Sequence, residues 1–394
     1  MVFDNPRLAD EELETLQLID ELRDDMRDRV SQPRRWFGNL RRMTLARAVQ
    51  GSNSIEGYNA SLDDVVAAVD GEPTLGASEE TQLALAGYRD AMKYVLHVAQ
   101  DGGAVVDEGL VKALHFMMLK YDLAKTPGRW RPGYIGVRDG ASGKIVYEGP
   151  DADSVPSLID EMLEQLRDDE GPVLTRAAMA HLNLVMIHPF RDGNGRMARC
   201  LQTLVLAREQ IAAPIFSSIE EYLGRNAQAY YDVLAEVGQG QWQPSRDARP
   251  WIRFCLTAHY RQVKTQLRRV EEIERLWLDC ASLAERHSVP ERAASGLVEA
   301  ALGLRLRNAT YRAVVKATDG DEISELTASR DLRALVEAGL IDPVGEKRGR
   351  YYVGRQQLLE LRERIRAPRP ARSDFDPFVL VQQNRQLALR GWRA

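Results

Sequence analysis

Twelve residues constrain this chain more than any other segment: His188-Pro-Phe-Arg-Asp-Gly-Asn-Gly-Arg-Met-Ala-Arg199. An apolar run at helical spacing, residues 175–187, leads into it, and Pro189 cannot continue that helix. A second helix starts near Gly195 and covers 197–208. The chain must therefore place two helices around a short loop in which Gly193, Asn194 and Gly195 can take positive φ. Such a loop turns successive backbone N–H groups inward as an anion nest. It feeds a helix N-terminus, where free N–H groups and the helix dipole favour phosphate. Arg196 and Arg199 lie i,i+3 on the first turn, so both guanidinium forks reach one anion. No Lys-Ser/Thr follows the glycines, which excludes a P-loop.

Asp192 would repel phosphate unless a hard cation sits between them, and Mg²⁺ typically takes one or two carboxylates plus substrate phosphates. His188 stands four residues earlier, and an imidazole with its ordinary pKa of about 6.5 suits a general base near neutral pH. A base, a metal carboxylate, an anion nest and two arginines together point to phosphoryl or nucleotidyl transfer to a hydroxyl. Singly, each has an ordinary reading as a capping histidine, a turn or a solvated face. Eight specified positions in twelve residues, each with its own role in one reaction, weigh against that.

The rest of the chain reads as mostly helical. Leu16, Ile19, Leu22, Met26 and Val30 form one apolar helix face that Pro33 ends. Further helices are expected over 40–55 (stopping at Gly57), over 79–100 behind Ser78, from Asp107 to about 120, from about 154 to 168, and over 219–237 and 250–277. Tyr134-Ile-Gly-Val and Lys144-Ile-Val-Tyr flank Asp139-Gly-Ala-Ser-Gly as a small hairpin. From about 301, short helices over 311–317 and 327–338 precede two strands around the tip Gly345-Glu-Lys-Arg-Gly-Arg, the order of a winged helix-turn-helix. The tail from 367 is Pro- and Arg-rich with little periodicity and is expected to be mobile.

Composition removes several classes. Of 394 residues, 44% are hydrophobic, too many for a disordered chain. No apolar run approaches the ~20 residues of a membrane helix, so no membrane partner is expected. The start, Met1-Val-Phe-Asp-Asn-Pro-Arg, is no signal peptide. Cys200, Cys255 and Cys280 are too far apart for a zinc or disulfide framework, and the expected location is cytoplasmic. A net charge of −5 excludes a wholly basic nucleic-acid coat but not one basic domain.

The segment His188 to Arg199 matches the Fic signature, His-x-Phe-x-Asp/Glu-Gly-Asn-Gly-Arg-x-x-Arg, at every defined position. The chain therefore resembles a Fic-domain protein adenylyltransferase from about residue 35 to 366. The resemblance implies that His188 deprotonates a Ser, Thr or Tyr hydroxyl, which attacks the α-phosphate of ATP while pyrophosphate leaves. It implies that Asp192 holds Mg²⁺, that Gly193, Asn194 and Gly195 cradle phosphates, that Phe190 packs the loop, and that Arg196 and Arg199 bind the β- and γ-phosphates. Gly128-Arg-Trp-Arg and the hairpin with Lys144, Ile145, Val146 and Tyr147 resemble the family's flap, which docks the target protein as an added strand. Tyr222 and Asn226, i,i+4 on an expected helix, resemble adenine-side residues, although Tyr at that spacing is also ordinary core.

Ser52-Asn-Ser-Ile-Glu-Gly57 matches the family's inhibitory motif, Ser/Thr-x-x-x-Glu-Gly/Asn. Ser52 and Glu56 share a helix face, and Gly57 suits the residue after a helix. The implied brake is a Glu56–Arg199 pair where the γ-phosphate would lie.

The expected architecture is mainly α. An N-terminal helical region, 1–105, carries the inhibitory helix at about 40–57. A Fic catalytic core, 106–262, carries the flap at about 134–148. Connecting helices follow over 263–300, then a winged helix over 301–366 and the tail over 367–394. The expected activity is AMP transfer from ATP to a target protein or to the chain itself. Removal of AMP, transfer of another phosphate-containing group, and DNA-binding regulation are the alternatives. Between 341 and 372, nine Lys/Arg face four acids, which suits phosphate contacts, whereas Arg330 and Arg333 on the presumed recognition helix stand beside Asp331 and Glu337. DNA binding and homodimer formation stay open.

Overall fold

Apolar residues spaced three or four apart generate the helices, and polar caps set where several begin. Ser61, Ser78 and Ser324 accept from the N–H three residues on, as does Asp107. The computed structural model describes residues 1–31, 34–101, 105–138, 140, 142–168, 171–208, 216, 218–320, 322–346, 349–366 and 376–391. The N-terminal part holds α1 (Asp10–Ser31), α2 (Phe37–Ile55), α3 (Leu62–Asp70), α4 (Glu79–Val98) and α5 (Glu108–Leu119). The hairpin β1 (Gly136–Arg138) and β2 (Ile145–Glu148) follows, then α6 (Val155–Asp168), α7 (Val173–Ile187) and α8 (Asn194–Arg208). Next come α9 (Glu220–Arg225), α10 (Ala227–Gly238) and α11 (Arg249–Arg286). The last part is α12 (Ala293–Ala301), α13 (Asn308–Asp319), α14 (Glu325–Glu337), β3 (Ile341–Val344), β4 (Tyr351–Gly354), α15 (Gln356–Ile365) and α16 (Pro377–Gly391).

The described helices build two apolar cores. The first gathers residues from Val2 to Tyr260, with Leu304 and Phe378, and crosses the expected division at 105/106. The second joins the ends of α1 and α11 to α12–α15. No described helix is long and apolar enough to cross a membrane.

Several elements differ from expectation. The helix expected over 219–237 is broken at Asn226, whose φ of −129° and ψ of 38° separate α9 from α10. The helix expected to end at 277 continues to Arg286, because Leu276, Cys280 and Ala284 extend its buried stripe. The tail, expected to be mobile, contains α16. That helix lies on α1, with Phe378 and Val381 buried and Arg385 bonded to Glu14 at 2.7 Å. Pro33, the basic tip residues Lys347 and Arg348, and Arg369 and Arg372 of the tail lie outside the described residues.

β1 and β2 are antiparallel, with Val137 opposite Tyr147. β3 and β4 are antiparallel too, and Leu306 bridges Tyr352 beside them. On α14, Asp331 is turned inward to Arg292 at 2.7 Å and the Tyr311 hydroxyl at 3.0 Å, while Arg330 and Arg333 stay exposed. The carboxylate that balances those arginines in the sequence therefore does not share their face.

One close approach fixes the site. A Cβ on Gly51 of α2 would lie 2.3 Å from the Glu220 carbonyl oxygen, and one on Gly224 would lie 2.5 Å from Gly51 Cα. The missing side chains let α2 and α9 touch backbone to backbone, and the end of α2 comes to rest over the start of α8.

Candidate active site

α7 ends at His188, which adopts the left-handed conformation at φ 51°. A non-glycine residue there costs on the order of 1–3 kcal/mol. The His188 N–H bonds to the Leu184 carbonyl at 3.0 Å, and Arg131 Nε donates to the His188 carbonyl at 2.9 Å. His188 Nδ1 lies 3.0 Å from the Val185 carbonyl. A carbonyl only accepts, so Nδ1 carries the proton and Nε2 keeps its lone pair. Burial lowers the pKa of this ring, although the Val185 contact pulls the other way. The imidazole is therefore neutral and basic at neutral pH.

The loop after it is clamped from inside. The Phe190 N–H donates to Asn194 Oδ1 at 2.8 Å, and Asn194 Nδ2 returns a bond to the Phe190 carbonyl at 2.9 Å. Phe190 is fully buried, stacked on His115 at 3.6 Å and against Trp130 at 4.8 Å. His115 Nδ1 accepts from the Gly128 N–H at 2.9 Å, so its Nε2–H donates to the Asp192 carbonyl at 2.8 Å. Burial pushes His115 down to about 4, which keeps it neutral in that role. Of the three loop residues expected to reach positive φ, only Gly193 does, at 76°. A Cβ there would meet Leu119 at 2.8 Å. Asn194 and Gly195 already belong to α8.

Both arginines are buried. Arg199 donates from Nε to Ser52 Oγ at 2.8 Å, and from Nη2 to the Ser52 carbonyl at 3.0 Å and Glu56 Oε1 at 2.6 Å. Burial disfavours this charge, but Glu56 holds its pKa above the usual value. Arg199 Nη1 and Arg196 Nε and Nη1 have no hydrogen-bond partner. Buried donors left this way cost roughly 1–3 kcal/mol each unless an acceptor arrives. Glu56 also fills the space above Gly195, where a Cβ would lie 2.4 Å from Glu56 Oε1. Tyr231, half-exposed on α10, donates to the Ile55 carbonyl at 2.9 Å and steadies the turn that presents Glu56.

Asp192 Oδ2 lies 2.8 Å from Lys125 Nζ and 4.0 Å from Arg196 Nη2. Its pKa is lowered: burial opposes this, but Lys125 and Arg196 outweigh it. Among the described residues, no three His, Cys, Asp or Glu side chains converge as a protein-only metal cage. A carboxylate beside unpartnered guanidinium donors fits the habit of Mg²⁺, which shares ligand oxygens with few protein groups.

Other expected residues sit apart. Tyr222 packs on Phe254 and its hydroxyl lies 3.4 Å from Arg261 Nη1, while Asn226 Nδ2 bonds the Tyr222 carbonyl at 2.8 Å. These contacts do not reach the loop; the Tyr230 ring lies 6.0 Å from the Arg199 guanidinium. In the hairpin, Lys144, Ile145 and Val146 are exposed, but Tyr147 is buried and bonds the Met186 carbonyl at 2.9 Å. Tyr147 is thus the hairpin's root rather than part of a free face.

The sequence did not single out His115 or Lys125, and it showed Arg131 only within the stretch Gly128-Arg-Trp-Arg. A lone histidine on the apolar face of α5 was the available signal for His115. Lys125 ends a three-residue 3₁₀ turn 67 residues from Asp192 and had none.

Residues 105–206 match the Fic/DOC family. This Fic segment contains the whole His188-to-Arg199 loop. The chain is 26% identical over 269 residues to the protein adenylyltransferase Fic of Nematostella vectensis, covering 66% of this chain and 58% of that one. It is 34% identical over 124 residues to the protein adenylyltransferase fic-1 of Caenorhabditis briggsae, covering 29% and 22%. It thus spans little more than half of the first relative and under a quarter of the second. In fold it is similar to a Fic family protein from Desulfovibrio desulfuricans G20, with a TM-score of 0.56 at 24% identity, covering 89% of this chain and 98% of that one. It also resembles Fic-1 from C. elegans, with a TM-score of 0.53 at 22% identity and coverage of 65% and 72%.

Proposed function

We propose that this chain transfers AMP from ATP to a Ser, Thr or Tyr hydroxyl of a protein and that Glu56 restrains it. The observation that carries the reading is the set of unpartnered guanidinium donors on Arg196 and Arg199 beside a histidine whose Nε2 is free to accept a proton. His188 takes the hydroxyl proton as the oxygen bonds to the α-phosphorus. The bond from that phosphorus to the bridging oxygen breaks, and pyrophosphate departs. Arg196 and Arg199 hold the departing phosphates, and the N-terminus of α8 offers them N–H groups. Mg²⁺, held by Asp192, would neutralise phosphate charge when bound. The target would dock along Lys144, Ile145 and Val146. Glu56, occupying one edge of the Arg199 fork, keeps the γ-phosphate from its place.

Intact-mass analysis after incubation with ATP and Mg²⁺ tests this. Glu56→Gly should gain one AMP on itself or on an added protein mixture, with wild type gaining far less. No transfer by Glu56→Gly at saturating ATP would overturn the reading, and equal transfer by wild type would overturn the brake.

A second reading concerns 301–366 as a winged helix that contacts DNA. The inward turn of Asp331 favours it, because Arg330 and Arg333 then face solvent without that acid. A gel shift with the full chain that weakens steeply with salt would support it.

A further inference from the structure

Glu220, the first residue of α9, is 1% exposed, and hydroxyl groups hold both of its carboxylate oxygens. Tyr88 of α4 donates to Oε2 at 2.7 Å, and Thr203 of α8 donates to Oε1 at 3.0 Å. One donor on each oxygen is the pattern of an ionised carboxylate, which only accepts. A charge in this position is costly. Burial leaves the pKa of Glu220 raised, although Tyr88, the Arg199 charge and Thr203 pull it down. No step assigned to the loop after His188 uses this group.

A line of polar contacts runs from this carboxylate to Arg199. Burial, and after it the Glu220 charge, push the Tyr88 hydroxyl well above its usual range, so it keeps its proton and donates it to Oε2. The Tyr88 oxygen is left to accept, and the Ser52 hydroxyl is its hydrogen-bonding neighbour. Ser52 Oγ in turn accepts from Arg199 Nε at 2.8 Å. Tyr88, Ser52 and Arg199 are all buried. A guanidinium only donates, a carboxylate only accepts, and each hydroxyl between them has one proton. The charged ends therefore set the order: protons point from Arg199 to Ser52, from Ser52 to Tyr88, and from Tyr88 to Glu220. The backbone keeps the ends in register, because the Glu220 carbonyl is the group that Gly51, next to Ser52, approaches most closely.

We infer that Glu220 is a positioning residue for Arg199: through Tyr88 and Ser52, its carboxylate keeps the Ser52 lone pairs facing Nε and so fixes where the rest of the fork points. With Nε anchored, Nη2 meets Glu56 and Nη1 has no hydrogen-bond partner. Glu56 is the counter-charge that leaves when the brake lifts, whereas Glu220 belongs to the packed interior and stays. Linked hydrogen bonds polarise one another, so losing the negative end loosens the whole line. The hydroxyls can then turn, and a Ser52 proton turned toward the Nε–H repels the guanidinium. The consequence for turnover rests on the AMP-transfer reading. A misaimed Arg199 still attracts phosphate alongside Arg196, yet it sets the α-phosphorus wrongly for attack. Nucleotide binding should survive and turnover should not.

The test compares Glu56→Gly with Glu56→Gly/Tyr88→Phe, Glu56→Gly/Glu220→Gln and the triple variant, by AMP transfer over a range of ATP concentrations. Tyr88→Phe deletes one oxygen and keeps the ring, and Glu220→Gln keeps the shape and deletes the charge. Each should lower kcat by about tenfold or more while KM for ATP moves by less than about threefold. The triple variant should fall no more than about threefold below the slower of the two, because both changes cut one line. A kcat close to that of Glu56→Gly for both, a loss carried by KM alone, or losses that multiply in the triple variant would overturn the inference. A second readout needs no turnover. In heteronuclear NMR spectra of the chain with Glu56 in place, the Arg199 Nε–H signal is identified by its loss in Arg199→Lys. It should exchange with water about tenfold faster or more in Tyr88→Phe and in Glu220→Gln than in wild type, and equal rates overturn the inference. If Glu56→Gly transfers no AMP, the AMP-transfer reading fails and the exchange measurement alone decides whether Glu220 positions Arg199. If Glu220→Gln does not melt cooperatively, Tyr88→Phe decides by the same limits on kcat, KM and exchange.

Discussion

His188 and Lys125 mark the two limits of what single residues disclose. His188 sits inside a contiguous pattern, so the role proposed for it follows from its neighbours in the chain. Its lowered pKa adds a consequence the pattern lacked. A base must be neutral to act, so activity falls only as pH drops through its pKa, and that value lies below the ordinary 6.5. In the Glu56→Gly background the nearby negative charge is gone, which moves the value down further. The acid limb of kcat/KM, which reports the free enzyme, should therefore have its midpoint below 6.5. A midpoint above 7 would remove His188 as the base. Lys125 was illegible, because only folding brings the turn after α5 to Asp192. Its ammonium lies 2.8 Å from the carboxylate proposed to hold Mg²⁺. Lys125→Met should tighten Mn²⁺ binding to the nucleotide-free chain roughly fivefold, as loss of a part-exposed pair worth about 1 kcal/mol allows. Electron paramagnetic resonance of free Mn²⁺ reads this directly, and weaker binding would show instead that Lys125 supports the site.

At the scale of elements, α2 and α9 are held together by the absence of two side chains. Gly51→Ala would drive a methyl into the Glu220 carbonyl. Overpacking of this kind costs typically 1–3 kcal/mol, and here it pushes the end of α2 away from α8. The variant should melt earlier than wild type and also transfer AMP faster, since Ser52 and Glu56 move with the helix end. Unchanged melting would mean that the two backbones separate freely. Most helices were legible: period and polar cap agree at α4 and α5, and apolar spacing marks α1 and α7 without a side-chain cap. The break between α9 and α10 was not, since Asn226 carries no Pro or Gly to announce it. Gly224, two residues earlier, is explained only by Gly51 across the contact. The start of α16 was hidden for another reason: a Pro- and Arg-rich approach masked the apolar pair Phe378 and Val381, which finds its partner surface on α1 and α11.

For the molecule as a whole, the last helix closes onto the first. Truncation after residue 366 should expose the α1 surface and forfeit the burial of Phe378 and Val381, roughly 1.5–3 kcal/mol for each side chain. A thermal melt should record the loss as an earlier midpoint, and an unchanged midpoint would show that α16 adds nothing to α1. The long α11 has a larger effect. Trp251, Ile252, Cys255, Leu256 and Tyr260 belong to one core, and Val263, Leu267, Val270, Ile273 and Leu276 belong to the other. No loop interrupts the helix between them, so neither half can melt without unwinding a rod that the other half is gripping. Scanning calorimetry should then show one peak where a chain of two cores would ordinarily give two. The hinge that lets modular enzymes swing their parts independently is replaced here by a shared axle, and a push felt at one end of the molecule arrives at the other undiminished by slack.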